Sequence, residues 1–335
     1  MDSTLDLDGQ ALELVRASRR VLLVGHARPD GDCLGAQAAL HRGLTGLGKE
    51  VAICNPDAPA RVFDYLTRQV PYGVFGPGGL PPHDLVMLLD FNELSRTGPM
   101  AGPITAAPSR KMVVDHHPHD GEAFWDGSFV DVTASATGVL AWRLLKLLGA
   151  PIDALVATGV FTSMVTDTGW FRYSNTDAET LGLAGELVAA GVDVSAVYAA
   201  LYQRRAPEEP RALGAVLDTV EYFADGRLAV AHQPLRSGPT LEDGDPLLDE
   251  LRAVERVEVV LYLREIEPGV CKLSARSKTS FDVNALARGF GGGGHRKAAG
   301  ATIQGPLDVV RGRLIAAAEA ALGGGTGDSG EGPAP

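Results

Sequence analysis

Val21–Gly35, VLLVGHARPDGDCLG, decides how the rest of the chain is read. Its first four residues are valine and leucine, the composition of a strand buried in a sheet. The run breaks at Gly25 and Pro29, and a short loop presents His26, Asp30 and Asp32. Leu34 and Gly35 then lead into a helical pattern continued by Ala38, Leu44 and Leu47. A strand that delivers an imidazole and two carboxylates to its own C-terminal end places them where open α/β sheets bind ligands. Taken alone, such a cluster suits a solvated loop as well as a metal site. The balance moves because later strands end in the same way.

Asp84–Asp90, DLVMLLD, is a continuous apolar run of the kind buried in a parallel sheet, and it closes on Asp90, followed by Phe91, Asn92 and Glu93. Lys111–Val114 is again apolar and ends in Asp115, His116 and His117. Lys49–Cys54 alternates as a further strand. Helical spacing marks Ser135–Leu148 and Asp153–Val165, with Asp167, Thr168 and Gly169 just past the second. Ala178–Ala190 and Val194–Tyr202 read as two more helices. Strands alternating with helices predict an α/β first domain with a parallel sheet over residues 10–203. Arg204–Pro210, RRAPEEP, is charged and proline-broken, and serves as the linker.

Residues 211–322 predict a smaller α+β domain. Its helices are Arg211–Val220, Pro246–Ala253, Phe281–Phe290 and Leu307–Leu322. Asp225–Gly226 and Glu267–Gly269 are turn signals inside two hairpins, and Ala299–Ile303 is strand-like. The tail, residues 323–335, GGGTGDSGEGPAP, is almost free of apolar residues and is expected to be disordered.

The chain has 335 residues, and its 30 Lys plus Arg against 42 Asp plus Glu give a formal charge of −12. That excludes a protein that coats long nucleic acid through many basic phosphate contacts, though not one that takes a short anionic substrate. Cys33, Cys54 and Cys271 form neither a CxxC pair nor an even disulfide set, which points to a reducing cytoplasm. Cys33 reads as a small packing residue, or as a thiol acidified by a helix N-terminus. No signal peptide or membrane-spanning run is expected.

The strand-end groups His26, Asp30, Asp32, Asp90, His116 and Asp167 make a set of two imidazoles and four carboxylates. A lone buried aspartate or histidine is most often a hydrogen-bonded core group; six at four separate element ends are not. They suffice for two divalent ions sharing one carboxylate, and the donor set suits manganese or magnesium better than structural zinc. Two ions ~3.5–4 Å apart can clamp the attacking and leaving oxygens of an in-line phosphoryl displacement. Four aspartates leave no surplus positive charge for a substrate phosphate. The second domain offers it in Arg276 and Lys278, and in His295, Arg296 and Lys297 behind four glycines whose N–H groups can cradle an anion.

GHARPDGD, LLDFNE, VVDHHP and TDTGWFRY together resemble the four motifs of the DHH phosphoesterase superfamily. SARSK and GFGGGGHRKAAG resemble the signature of its DHH-associated C-terminal domain, so the likeness spans nearly residues 10–322. Within the superfamily, the spacing is similar to that of the bifunctional nanoRNases, oligoribonucleases that also dephosphorylate phosphoadenosine phosphate. The resemblance implies an active site in the cleft between the two domains. It implies that His26, Asp30 and Asp90 hold one manganese and that Asp32, Asp90, His116 and Asp167 hold the other. Asp115 then supports the site, and His117 faces the substrate and assists the leaving oxygen. Arg276, Gly293, Gly294 and His295 bind the far phosphate and sugar. Phe91 follows Asp90 where many relatives carry a small residue, which bears on the shape beside the reacting phosphate. Arg172 and Tyr173 are candidate substrate contacts, or part of an outward-facing strand.

The expected activity is manganese-dependent hydrolysis of short oligoribonucleotides or linear dinucleotides to 5′-mononucleotides, with 3′-phosphoadenosine 5′-phosphate phosphatase activity beside it. A cyclic-dinucleotide phosphodiesterase and a catalytically silent nucleotide-binding sensor are the alternatives. The expected partners are short RNA or a dinucleotide, with no long duplex and no membrane, and a homodimer is compatible with the sequence.

Overall fold

The computed structural model describes residues 3–119, 121–235, 240–241 and 244–323. The chain divides into two compact units, Met1–Arg204 and Arg205–Pro335. In the first unit, in chain order, come α1 (Ser3–Ala17), β1 (Arg20–Val24), α2 (Gly31–Gly46), β2 (Glu50–Asn55), α3 (Asp64–Thr67), β3 (Tyr72–Val74) and β4 (Leu85–Leu89). They are followed by α4 (Ala101–Ala106), β5 (Arg110–Asp115), β6 (Gly127–Val130), α5 (Thr137–Leu147), α6 (Ala154–Asp167), α7 (Ala178–Ala189) and α8 (Val194–Tyr202). The sheet order is β3-β2-β1-β4-β5-β6, with every pair parallel.

The two central strands are β1 and β4, paired from Val21↔Leu85 to Val24↔Leu88. The strand order reverses between them, so the loops that leave their carboxyl ends diverge and open a crevice. Both strands are buried on both faces, which is why they read as unbroken apolar runs rather than as alternation. One face packs Val21, Leu23, Met87 and Val114 beneath α2, α5 and α6. The other packs Leu22, Val24, Val86 and Leu88 with Met100 and Ile104.

Helices α2 and α6 run antiparallel in close contact, because glycine faces backbone. A Cβ on Gly35 would lie 2.3 Å from the Gly159 carbonyl oxygen, and one on Gly159 would lie 2.7 Å from that of Gly35. This contact brings the N-terminus of α2, bearing Asp30 and Asp32, to the C-terminus of α6, bearing Asp167.

The second unit holds α9 (Glu209–Leu217), β7 (Glu221–Phe223), β8 (Leu228–Gln233), α10 (Asp245–Arg252), β9 (Val259–Glu267) and β10 (Val270–Ser277). It ends with α11 (Val283–Arg288), β11 (Gly293–His295), β12 (Ala298–Gln304) and α12 (Leu307–Gly323). Its sheet order is β11-β12-β10-β9-β8-β7, antiparallel except for β8 and β9. One face carries α11 and α12 over Leu261, Leu263, Leu273 and Ile303. The other carries α9 and α10 over Ala229, Ala231, Val260 and Tyr262.

Helix α9 begins at Glu209, inside the segment read as linker, because Pro210 sits in its first turn, where no helical N–H is lost. Gly323 is the last residue of α12 rather than the start of the tail, and the rest of that tail lies outside the described residues. The short elements α3, β3, α4 and β6 carry little periodic signal in the sequence. Strands of three or four residues are too short to show a period, and AGPITA in α4 carries a glycine and a proline. All three cysteines are unpaired and buried. Burial and the carboxylates of Asp90 and Asp30 push the Cys33 thiol up, so the expectation of an acidified thiol fails and the packing role holds. No single helix among the described residues is long and apolar enough to cross a membrane.

Candidate metal centre and an open sheet face

The groups at the carboxyl ends of β1, β4 and β5 and at the end of α6 converge. His26 Nε2 lies 3.4 Å from Asp90 Oδ2 and 3.8 Å from Asp30 Oδ1. On the other side, His116 Nε2 lies 3.4 Å from Asp32 Oδ2, 3.7 Å from Asp90 Oδ1 and 4.0 Å from Asp167 Oδ2. Two potential ion positions result, one among His26, Asp30 and Asp90 and one among Asp32, His116 and Asp167, with the two oxygens of Asp90 turned to opposite sides. Asp90 reaches this pose with φ +68, a left-handed conformation rare for a side-chain-bearing residue and typical of functional strain.

Each imidazole is fixed from behind. His26 Nδ1 lies 2.9 Å from the Ala27 carbonyl oxygen, and His116 Nδ1 lies 3.1 Å from that of Ala134. Those acceptors require the proton on Nδ1 and leave each Nε2 as a lone-pair donor, the arrangement that metal-ligating histidines use. His116 Nε2 is buried with no hydrogen-bond partner, an arrangement that an ion would satisfy.

Electrostatics agrees with the geometry. Burial and the charges of Asp90 and Asp167 raise Asp32 well above the carboxylate range. Burial likewise brings Asp167 up to about 6, with Asp90 and Asp30 adding to it. Burial works against a charge on His26, yet its contacts with Asp30 and Asp90 win and lift it to about 10. The cluster therefore holds protons to relieve its own repulsion, and divalent cations would relieve it more completely.

The positioning network was mostly missed in the sequence. Asp32 accepts from Thr137 N at 2.9 Å, from Gly138 N at 3.2 Å and from the Ser163 hydroxyl, so it caps the first turn of α5. The residue before that helix is Ala136, which offers no side-chain cap; that uncapped start was the available signal. Thr137 Oγ1 donates to Asp90 Oδ1 at 3.0 Å, and Asn175 Nδ2 donates to Asp167 Oδ2 at 3.1 Å. Asn92 Nδ2 donates to the carbonyls of His117 and Pro118, tying the β4 loop to the β5 loop.

Asp115 is fully buried; its Oδ1 accepts from the His116 backbone N–H at 2.9 Å and from His117 Nδ1 at 2.8 Å. That hydrogen bond raises the pKa of His117 against the opposing effect of burial. The His117 side chain remains 45% exposed, and its Nε2 is the ring nitrogen not held by Asp115. Phe91 is buried in the cluster that holds Leu22, Val24 and Met100, so its side chain packs into the core. Trp170 and Phe171 have φ +61 and +63, which makes the segment after Asp167 a turn and removes the alternative of a strand there.

In the second unit, Arg276, Ala298 and His295 form one row across β10, β12 and β11. Directly paired antiparallel residues share a face, so the arginine and the histidine flank a small alanine at two strand spacings, roughly 9–10 Å apart. The neighbouring row is Ser274, Gly300 and Gly293, a floor of small residues. Gly294 has the opposite parity and offers only backbone to this face. The glycine run is part strand rather than the loop-like cradle expected, and close backbone contact accounts for two of its members. A Cβ on Gly292 would lie 2.1 Å from the Gly300 oxygen, and one on Gly294, at φ +147, 2.5 Å from that of Ala298.

A doubly wound parallel sheet with paired carboxylate and imidazole clusters at its switch point defines a metal-dependent hydrolase. The model of the DHH family N-terminal domain matches residues 20–164, and that of the DHHA1 domain matches residues 229–324. The chain is 36% identical over 301 residues to the bifunctional oligoribonuclease and PAP phosphatase NrnA of Thermus thermophilus, covering 89% of this chain and 88% of that one. It is 26% identical over 291 residues to the Bacillus subtilis protein of the same name, covering 84% and 89%. A crystal structure of an exopolyphosphatase-related protein from Bacteroides fragilis superposes with a TM-score of 0.84 at 24% identity, over 96% of each chain. The chain belongs to the DHH family of phosphoesterases.

Proposed function

We propose that this phosphoesterase hydrolyses short oligoribonucleotides and linear dinucleotides to 5′-mononucleotides, with a phosphatase activity on 3′-phosphoadenosine 5′-phosphate, in a reducing cytoplasm. The observation that carries the reading is Asp90, whose two oxygens face two separate ligand groups. The similarity to the Thermus thermophilus protein supports the substrate class.

On this reading His26, Asp30 and Asp90 hold one ion and Asp32, Asp90, His116 and Asp167 the other, manganese by donor chemistry with magnesium as the alternative. Two ions bound there would supply charge stabilisation at the transferring phosphoryl group and an activated water. The chain's own residues do the rest. Asp115 holds the His117 ring through Nδ1 and favours its protonated form. His117 Nε2 then carries the proton that the leaving oxygen needs. Asp32, pinned by three donors from α5 and α6, keeps its half of the site from drifting as charge develops. Arg276 and His295 take the substrate's far phosphate and sugar, which lie over Ser274, Gly300 and Gly293. A net charge of −12 gives longer strands little counterion-release affinity, so turnover falls with strand length.

The test is a turnover panel in manganese: dinucleotide, five-mer, 24-mer, phosphoadenosine phosphate, cyclic dinucleotide and pyrophosphate. Preference for the dinucleotide and five-mer supports the reading, whereas preference for pyrophosphate, the cyclic dinucleotide or the 24-mer overturns it.

A further inference from the structure

We propose that Asp245 is a specificity-determining residue that tempers the charge Arg276 presents, so that a doubly charged terminal phosphomonoester gains less over a singly charged phosphodiester at this sheet face than it would at a bare arginine. The inference rests on the reading that Arg276 takes the substrate's far phosphate. Arg276 Nη2 donates to Asp245 Oδ1 at 2.7 Å, while its Nη1 donates to the Ala275 carbonyl oxygen at 3.1 Å. The guanidinium is held from two sides and keeps further N–H groups for a ligand, since arginine has five.

Asp245 owes its place to the fold as well as to that ion pair. It opens α10, whose Leu247, Leu248 and Leu251 are buried against β9. Gly244, just before it, lies on the Tyr262 ring so closely that a Cβ would come within 2.7 Å. Tyr262 in turn donates its hydroxyl to Gln233 Oε1 at 2.6 Å and stands 3.0 Å from the Leu241 carbonyl oxygen. The start of α10 is therefore anchored to the sheet, and a carboxylate stands beside Arg276 with its side chain 68% exposed.

A phosphate that binds Arg276 also meets Asp245. The pair has no net charge, so it offers directional hydrogen bonds without a surplus of attraction. A phosphodiester carries one negative charge, and a terminal phosphomonoester carries −1.5 to −2 near neutral pH. The added charge is repelled by Asp245; at roughly 6 Å in a largely hydrated setting this amounts to roughly a two- to three-fold change in binding. A bare arginine would give the added charge its full attraction.

The experiment compares two ligands with equal phosphate counts: a 5′-phosphorylated dinucleotide and a trinucleotide with a free 5′-hydroxyl. kcat and KM are measured for both with wild type, Asp245→Asn, Asp245→Glu, Arg276→Ala and the double variant Asp245→Asn/Arg276→Ala, each checked for an unchanged melting temperature. The expected result is that Asp245→Asn lowers KM for the phosphorylated dinucleotide by roughly two- to three-fold more than for the trinucleotide, at similar kcat. Asp245→Glu keeps the wild-type ratio, and the double variant shows no change of ratio relative to Arg276→Ala. An unchanged ratio in Asp245→Asn, with Arg276→Ala raising KM for both ligands, overturns the inference and leaves the role of Arg276 standing. An Arg276→Ala variant with wild-type KM for both ligands overturns the underlying reading instead.

Discussion

At the carboxyl ends of the first sheet, His26, Asp32, Asp90 and Asp115 are buried and His116 and Asp167 half-buried, crowded with like charge and held by hydrogen bonds from α5, α6 and the β4 loop. Over β10, β12 and β11 the second sheet presents small side chains or none, with Arg276 half-buried and Asp245 and His295 exposed beside them. On the proposed function, the contrast follows from the work of each surface. A centre that stabilises developing charge gains from fixed groups in a dry setting, where each interaction is strong and no reorganisation is needed. A surface that receives a nucleotide gains from space and from a few hydrogen bonds that can be exchanged with water. Substitutions in the two regions should fail in different ways.

The largest effect should come from Asp90→Asn. Both half-sites lose a shared charge, and the loss of several kcal/mol of charge stabilisation should cut kcat by about a thousandfold or more. Circular dichroism should show an unchanged fold, and near wild-type rates at saturating manganese would break the contrast at its stronger end. Arg276→Ala should raise KM for nucleotides by about 10–100-fold, because it removes a charge-assisted hydrogen bond from binding rather than from the reaction centre. A chromogenic monoester with no second phosphate should be hit far less, and equal losses on both would place Arg276 with the reaction centre.

These two residues also mark what was legible in the sequence. His26, Asp30, Asp32, Asp90, His116 and Asp167 could be read because each follows an apolar run whose end is visible, and the fold brings all six together. Arg276 and His295 could be read as basic groups near glycines, and the register puts them on one face. Thr137, Ser163 and Asn175 could not, since their partners lie 47, 131 and 8 residues away and nothing local announces them. The left-handed backbone of Asp90 was equally hidden, because it is imposed by tertiary structure on a residue that would ordinarily avoid it. Asp245 was invisible because its meaning lies in the pairing across to β10.

Thr137→Val tests the network behind the metal centre. Loss of the Oγ1 bond to Asp90 should weaken manganese binding by about tenfold, as for other groups that orient a ligand from behind. Titration calorimetry reads this directly, and unchanged affinity would mean that Asp90 is held by its backbone alone. Gly35→Ala should act on stability and leave the reaction centre's own groups in place. Its new methyl group would press on the Gly159 carbonyl and force α2 from α6, at a cost of about 1–3 kcal/mol in stability. Chemical denaturation measures it, and a neutral result would show that the two helices can slide without penalty.

The central claim is that Asp90 joins two ion sites at the switch point of the first sheet, and anomalous diffraction from crystals grown with manganese tests it most directly. The account predicts two peaks about 3.5–4 Å apart, one on each side of the Asp90 carboxylate, with His26 on one and His116 on the other. A single peak, or two peaks that leave Asp90 without contact to one of them, would contradict it.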